Sequence, residues 1–325
     1  KVFTDLQADP MASIFWMILV VVIGCLICVL GLQRGVEKIT KVMMGLLLGV
    51  MILLVIKSLS LSGAMKGVEF YLIPDFNALK ENGIFNAIYA AMGQAFFTLS
   101  VGMGGMAIFG SYIDRDHSLT GEGLRVLALD TFVAVMAGFI IFPACMSFGV
   151  DAGSGPGLVF VTLPNIFNVM DNGRIWGTLF FVFMNFAALS TIIAVFENIV
   201  SFSIDLLSWS RKKSVIVNFI IIVIGSIPCA IGFSVLSGFQ PFGPGSAVLD
   251  LLDFLVSNVI MPFGSLVFLF FCTKKIGWGW KNFISEANAG KGMKFPEKTK
   301  FYVSWILPVI VIFIFISGLW EKLFM

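Results

Sequence analysis

Phe96-Phe97-Thr98-Leu99-Ser100-Val101-Gly102-Met103-Gly104-Gly105 places a helix-breaking, hydroxyl-bearing run in the middle of a membrane-length apolar segment. Backbone groups freed at such a break find no water inside a bilayer. The irregularity therefore survives only where it is buried in protein or lines a polar cavity. This run is the first candidate for a substrate site.

The composition around it is that of a membrane protein: 58% of residues are apolar, 12% are charged and the mean hydropathy is +1.00. Scanning for runs of roughly 20 apolar residues, the length that crosses the hydrocarbon core, gives eight segments: 11–32, 40–62, 84–113, 119–149, 175–208, 214–236, 246–272 and 300–323. Connections are short except at 63–83, 150–174 and 273–299, so a single transmembrane domain over 1–325 is expected. Strand alternation is absent, which argues against a barrel.

Lys and Arg collect on alternate loops. Fifteen of the 21 basic residues fall at 34–41, 115–125, 211–213 and 274–300, which makes those loops cytoplasmic. Both termini then lie outside, as an even number of spans requires. The net charge of +2 follows from this loop bias and gives no reason to propose nucleic acid as a partner. The chain opens Lys1-Val2-Phe3-Thr4 with neither an initiator Met nor a signal-peptide pattern, so further sequence is expected upstream. The five cysteines lie in or at the ends of spans, with the spacing of small apolar fillers rather than of a zinc site.

Each charge inside a span costs roughly 3 kcal/mol or more unless it is paired or hydrated. Asp130, flanked by Leu127-Ala128-Leu129 and Thr131-Phe132-Val133, has no nearby basic residue except Arg125 at the cytoplasmic end. Two readings are open: a carboxylate for a bound cation, or a protonated acid hydrogen-bonded to another helix. Glu197 and Asp205 lie in the fifth segment, and Asp250 and Asp253 open the seventh. For the three aspartates a wetted helix end is the alternative. Asn185-Phe186-Ala187-Ala188-Leu189-Ser190-Thr191 sets small and hydroxyl residues on a greasy helix. Their oxygens suit a hard cation, and equally suit close helix packing with hydroxyls bonded back to their own helix.

A broken helix exposes two dipole ends. The half beginning near Gly104 favours an anionic group, and the carbonyls near Phe97 to Leu99 favour a cation, so a zwitterion fits the pair. Phe97, Met103 and Val195 supply an apolar wall and Ser100 a polar contact.

These residues resemble the neurotransmitter:sodium symporter family, and within it the bacterial amino-acid transporters similar to the leucine transporter. Gly93-Gln94-Ala95-Phe96-Phe97-Thr98-Leu99-Ser100-Val101-Gly102 is similar to the family's sixth helix. Val161-Thr162-Leu163-Pro164-Asn165-Ile166-Phe167 is similar to its extracellular lid loop, and Leu249-Asp250-Leu251-Leu252-Asp253-Phe254 to the start of its tenth helix. The resemblance implies an all-α integral membrane fold: helices 4 to 11 of the inverted-repeat leucine-transporter-type architecture, with a discontinuous helix 6. Helices 1 to 3 would be absent, and both sodium sites would need them for completion. The resemblance further implies a multi-pass protein of the bacterial inner membrane.

For individual residues it implies a first sodium site with Thr98 and Asp130, where Asp130 replaces the family's usual Asn. A second would use the Ala187 carbonyl with the Ser190 and Thr191 hydroxyls, giving two Na+ sites. Phe97, Ser100, Gly102, Met103 and Val195 would line the substrate pocket, with Phe97 doubling as an aromatic lid. Asp253 would be the extracellular gate carboxylate, and Asp205 and Tyr112 would act in the intracellular gate. The family's chloride ligands include a Gln and a Ser, matched by Gln94 and Ser100, and an Asn and a second Ser. The last two are Asp130 and Ala134 here, so a carboxylate already supplies the negative charge. The expected activity is sodium-coupled symport of a hydrophobic or aromatic L-amino acid by alternating access, independent of chloride. A cation channel or another inverted-repeat transporter is the alternative. An enzyme is not expected, because the sole histidine, His117, sits in a loop beside Asp114 and Asp116 with no nucleophile paired to it.

Overall fold

The computed structural model describes residues 2–150 and 156–324, and within it the side chains at 32–34, 82, 314, 317–318 and 320–324 are left aside. Lys1 lies outside the described residues, and the side chain of Arg34, counted in the orientation argument, outside the described side chains.

Among the described residues the regular secondary structure is helical, apart from one isolated parallel bridge between His117 and Lys291. The helices are α1 (Val2–Ala8), α2 (Pro10–Val29), α3 (Lys38–Leu59), α4 (Ala64–Leu72), α5 (Phe76–Asn82), α6 (Ile84–Thr98), α7 (Gly105–Ser111), α8 (Leu119–Ser147), α9 (Leu163–Val169), α10 (Gly173–Leu207), α11 (Arg211–Ala230), α12 (Val248–Phe254), α13 (Met261–Thr273), α14 (Trp280–Ala287) and α15 (Leu307–Phe324). A π-helical turn, Leu255–Ile260, carries α12 into α13, so that Val248–Thr273 runs as one apolar rod.

Six helices among the described residues are long and apolar enough to cross a membrane, against the eight segments expected. The physical reason for one difference is plain. Segment 84–113 is cut by the glycine run into α6 and α7, and the 15 residues of α6 reach only about 22 Å at 1.5 Å per residue. Segment 300–323 forms a π-helical turn, Tyr302–Ile306, followed by α15. The longer connections also hold short helices, α4 and α5 in 63–83, α9 in 150–174 and α14 in 273–299.

The chain divides into two compact units, Lys1–Pro74 with Phe132–Gln240, and Asp75–Thr131 with Pro241–Met325. In the first, α10 is the organising rod, 35 residues or about 52 Å long, and α2, α3 and α11 pack on it. Leu47, Met51, Leu54, Ile140, Leu163 and Phe180 form one core. Val21, Cys25, Cys28, Ile193, Phe196 and Val200 form the other. Small residues set the spacing: a Cβ on Gly24 would meet the Phe196 ring at 2.8 Å, so glycine lets α2 approach α10. The α2 start is fixed by Asp9, whose carboxylate accepts from the Met11 and Ala12 N–H groups at 2.9 and 3.1 Å ahead of Pro10. Pro143 interrupts the hydrogen-bond ladder of α8. Nearby, Ser58 Oγ donates to the Ile140 carbonyl at 2.8 Å, tying α3 to that stretch.

In the second unit, α6, α7, the first half of α8 and the α12–α15 segment pack together. The loop after α7 is clasped to the loop after α14. Lys291 N–H donates to the Asp116 carbonyl at 2.9 Å, and the Ser118 hydroxyl donates to the Met293 carbonyl.

Candidate functional site

The helix break has a definite geometry. α6 ends at Thr98 and α7 begins at Gly105, and between them Ser100 (φ 50°), Gly102 (φ 86°) and Gly104 (φ 80°) all take left-handed backbone conformations. The ladder closes at the end of α6, where Val101 N–H donates to the Phe96 carbonyl at 2.9 Å and Ser100 N–H to the Phe97 carbonyl at 3.1 Å, a winding-down of the kind seen at helix C-termini. Glycine accepts a positive φ without steric cost, whereas Ser100 does not. A strained, hydroxyl-bearing residue is thus held at the break itself.

Gly102 is required twice. Besides its positive φ, a Cβ there would run into the Met261 carbonyl and the Ser265 N–H, and Gly264 sits equally hard against the Gly102 backbone. The break is seated on α13 by a backbone-to-backbone crossing that only two glycines permit. Gly264 was not singled out from the sequence. Its signal was a small residue inside an otherwise bulky apolar span. Asn258 is a second omission: its side-chain amide donates to the Tyr89 hydroxyl and ties the π-helical turn to α6.

Thr98, at the last turn of α6, reaches Asp130 on α8. Its hydroxyl lies 2.8 Å from one carboxylate oxygen and 3.1 Å from the other. Two residues that the sequence assigned to one sodium site are therefore brought together. The threonine proton satisfies part of the carboxylate, leaving oxygen lone pairs of both groups for a hard cation.

On α10, the Ser190 and Thr191 hydroxyls both donate to the Ala187 carbonyl, at 2.9 and 3.0 Å. The expected trio is one local constellation, held by the back-bonding that the packing alternative called for. Val195 is half-buried on the same helix, and Asp205 is exposed near its end. Glu197 is fully buried, and its partner was not foreseen. Arg211, at the start of α11, forms an ion pair with it and also donates from Nε to the Cys28 carbonyl at 2.7 Å. Ser201 Oγ lies 3.3 Å from the other Glu197 oxygen. Arg211 had been read only as a loop cation; pairing across a helix corner is a tertiary fact that spacing does not reveal.

The expected gate residues fall as follows. Asp253 on α12 accepts from Ser257 Oγ at 3.2 Å, while Asp250 accepts from the Ala247 N–H at 2.7 Å and so caps α12. Tyr112 follows the last turn of α7 and Phe97 the penultimate position of α6, and both are exposed. Of the lid stretch 161–167, Val161 and Thr162 close a π-helical turn, Leu158–Thr162, that leads into α9, where Leu163 and Ile166 are buried.

A model of the sodium:neurotransmitter symporter family matches residues 7–323. The chain belongs to that family. An uncharacterised sodium-dependent transporter of Bacillus subtilis, YhdH, is 33% identical over 320 residues, covering 97% of this chain and 68% of that protein. An uncharacterised sodium-dependent transporter of Haemophilus influenzae is 31% identical over 323 residues, covering 98% of this chain and 68% of that protein. Among solved structures, the crystal structure of MhsT in complex with L-phenylalanine superposes with a TM-score of 0.84 at 35% identity, over 97% of this chain and 70% of that one.

As a member of the symporter family, the chain is a multi-pass membrane protein of a sodium-dependent transporter class rather than of an enzyme class, and it uses Na+. The likeness to MhsT extends to the all-helical fold.

Proposed function

We propose that this symporter-family chain couples the inward movement of Na+ to uptake of a hydrophobic or aromatic L-amino acid, across a bacterial inner membrane and without chloride. The observation that carries the proposal is the Thr98–Asp130 hydrogen bond, which sets a hydroxyl and a carboxylate together at the point where α6 unwinds. Oxygen ligands at a helix C-terminus suit a hard monovalent cation, because the terminal carbonyls carry partial negative charge. In this reading Thr98 and Asp130 serve one Na+, and Ala187, Ser190 and Thr191 serve a second. Phe97, Ser100, Gly102 and Met103 contact the substrate at the break, and Val195 on α10 is carried by the family resemblance alone. Phe97 is the lid, and Asp253, Asp205 and Tyr112 act in the gates. The whole chain works as one transmembrane domain.

Met103 is deformable, and beside it a Cβ on Gly104 would meet only the tip of the Phe268 ring at 3.8 Å, which favours a bulky apolar side chain over a small or charged one. The likeness to a phenylalanine-bound transporter supports the same class. Sodium binds preferentially to the outward-open state, substrate closes the lid, and the population then shifts inward. Each ligand shifts that equilibrium only by its differential affinity for the two states.

The test is uptake of labelled L-phenylalanine, L-leucine, glycine and L-glutamate into proteoliposomes, prepared from this chain and from the chain with any adjoining coding sequence. Saturable uptake of phenylalanine or leucine that requires a sodium gradient is expected. Uptake dominated by glycine or glutamate overturns the substrate class, and non-saturating sodium flux points to a channel.

A further inference from the structure

The second unit contains a cavity of about 390 Å³ beside the helix break, and of the residues assigned above to the substrate pocket only Ser100 and Gly102 line it. Its walls come from Phe96 and Met106 on either side of the break, Phe268 and Leu269 on α13, and Leu307 and Val311 on α15. The size is within the range of small-molecule sites, roughly 300–1,000 Å³. No wall residue is charged. The two wall hydroxyls of α13 are spent within their own helix, Ser265 Oγ on the Pro262 carbonyl at 2.7 Å and Thr273 Oγ1 on the Leu269 carbonyl at 2.6 Å. Such a lining rejects ions and zwitterions and accepts hydrocarbon.

One end of the cavity is different. Thr273 and Val303 belong to its wall, and Lys274, the next residue after Thr273, reaches across to the 303–305 turn. Its Nζ lies 3.5 Å from the centroid of the Trp305 ring and 3.5 Å from the Ser304 carbonyl. Lys275 follows it. Among the described residues no carboxylate lies within salt-bridge distance of Lys274. Trp280 and Phe295 pack around Phe283, another wall residue, as aromatic side chains do at a membrane–water boundary. A membrane-embedded apolar chamber thus ends at a lysine held by a tryptophan.

We propose that this cavity holds an acyl chain of an anionic phospholipid from the surrounding bilayer, with the phosphate on Lys274. The apolar walls select the tail, and the lysine, without a carboxylate of its own, selects the head. The chain lies against Ser100, Gly102 and Gly104, so it packs on the unwound backbone that forms the break.

The test uses phosphatidylglycerol carrying a diazirine at the end of one acyl chain, incorporated as a minor component of phosphatidylcholine vesicles with the reconstituted protein. After photolysis the cross-linked peptides are mapped. Labelling concentrated on 265–273 and 303–311, competed by unlabelled phosphatidylglycerol but not by phosphatidylcholine, is expected. Lys274→Gln, which lies outside the wall, is expected to lower that labelling about five-fold, the factor for one lysine at an anionic lipid headgroup. Ala107→Phe, which fills the space, is expected to remove it with Lys274 intact. Labelling spread evenly over the spans, equal labelling by a phosphatidylcholine analogue, or yields unchanged in Lys274→Gln would overturn the proposal. If Ala107→Phe does not fold, the Lys274→Gln and headgroup comparisons decide it alone.

Discussion

Asp130 and Glu197 are two carboxylates in apolar helices that meet opposite fates. Asp130 is half-buried and faces a hydroxyl, with no cation within ion-pair distance among the described residues. Glu197 is fully buried and faces Arg211, so its charge is internally matched. Asp130→Asn keeps an acceptor for Thr98 and removes only the charge. Its apparent sodium affinity is expected to fall about tenfold, the scale of one charge-assisted contact, and a dependence on chloride is expected to appear. Sodium titrations of uptake in chloride and in gluconate check both. Glu197→Ala strands a partly buried guanidinium and is expected to cost about 3 kcal/mol. The readout is thermal unfolding in detergent. Replacing both partners with apolar residues, Glu197→Leu with Arg211→Met, is expected to regain most of that loss, because neither charge then has to be desolvated.

At the scale of elements, glycines divide into those that the fold requires and those that it tolerates. Gly102 has a positive φ and a backbone neighbour where a Cβ would go, whereas Gly225 on α11 has helical φ and open space around it. Gly102→Ala is expected to lower stability by about 2 kcal/mol or more, from the left-handed backbone and the forced separation from α13. Gly225→Ala is expected to be neutral or to gain up to about 1 kcal/mol, as alanine does over glycine inside a helix. Melting temperatures of the two variants under identical conditions make the comparison. The same contrast explains why α6 and α7 do not merge. Three left-handed positions at alternate residues, Ser100, Gly102 and Gly104, are incompatible with a continuous right-handed helix.

At the scale of the whole molecule, the sodium-dependent family sets the ion and the membrane sets the driving force. Moving one charge through 100 mV is worth about 2.3 kcal/mol, so an inside-negative potassium-diffusion potential is expected to raise sodium-driven uptake and an inside-positive one to lower it. Proteoliposomes with imposed potentials give the comparison; uptake indifferent to potential would mean electroneutral coupling. Replacement of external chloride by gluconate is expected to leave the rate unchanged, because Asp130 already provides the negative charge beside the proposed cation.

The sequence by itself determined the class of the molecule. Twenty-residue apolar runs, charge confined to loops and a glycine-serine interruption are local and periodic features, and bilayer thickness converts them directly into spans and a break. It also supplied Thr98 and Asp130 as partners, and the Ala187-Ser190-Thr191 trio, through the family resemblance. What needed the tertiary structure was everything fixed by contact between distant segments. The Glu197–Arg211 pair, the Gly102–Gly264 crossing, the Tyr89–Asn258 bond and the chamber ending at Lys274 each join residues with no shared period. Local pattern specifies which faces of a helix are apolar, but in a bilayer lipid satisfies those faces as well as protein does. Which helices touch, and at which small residue, is decided by packing and by the few polar groups that must find partners.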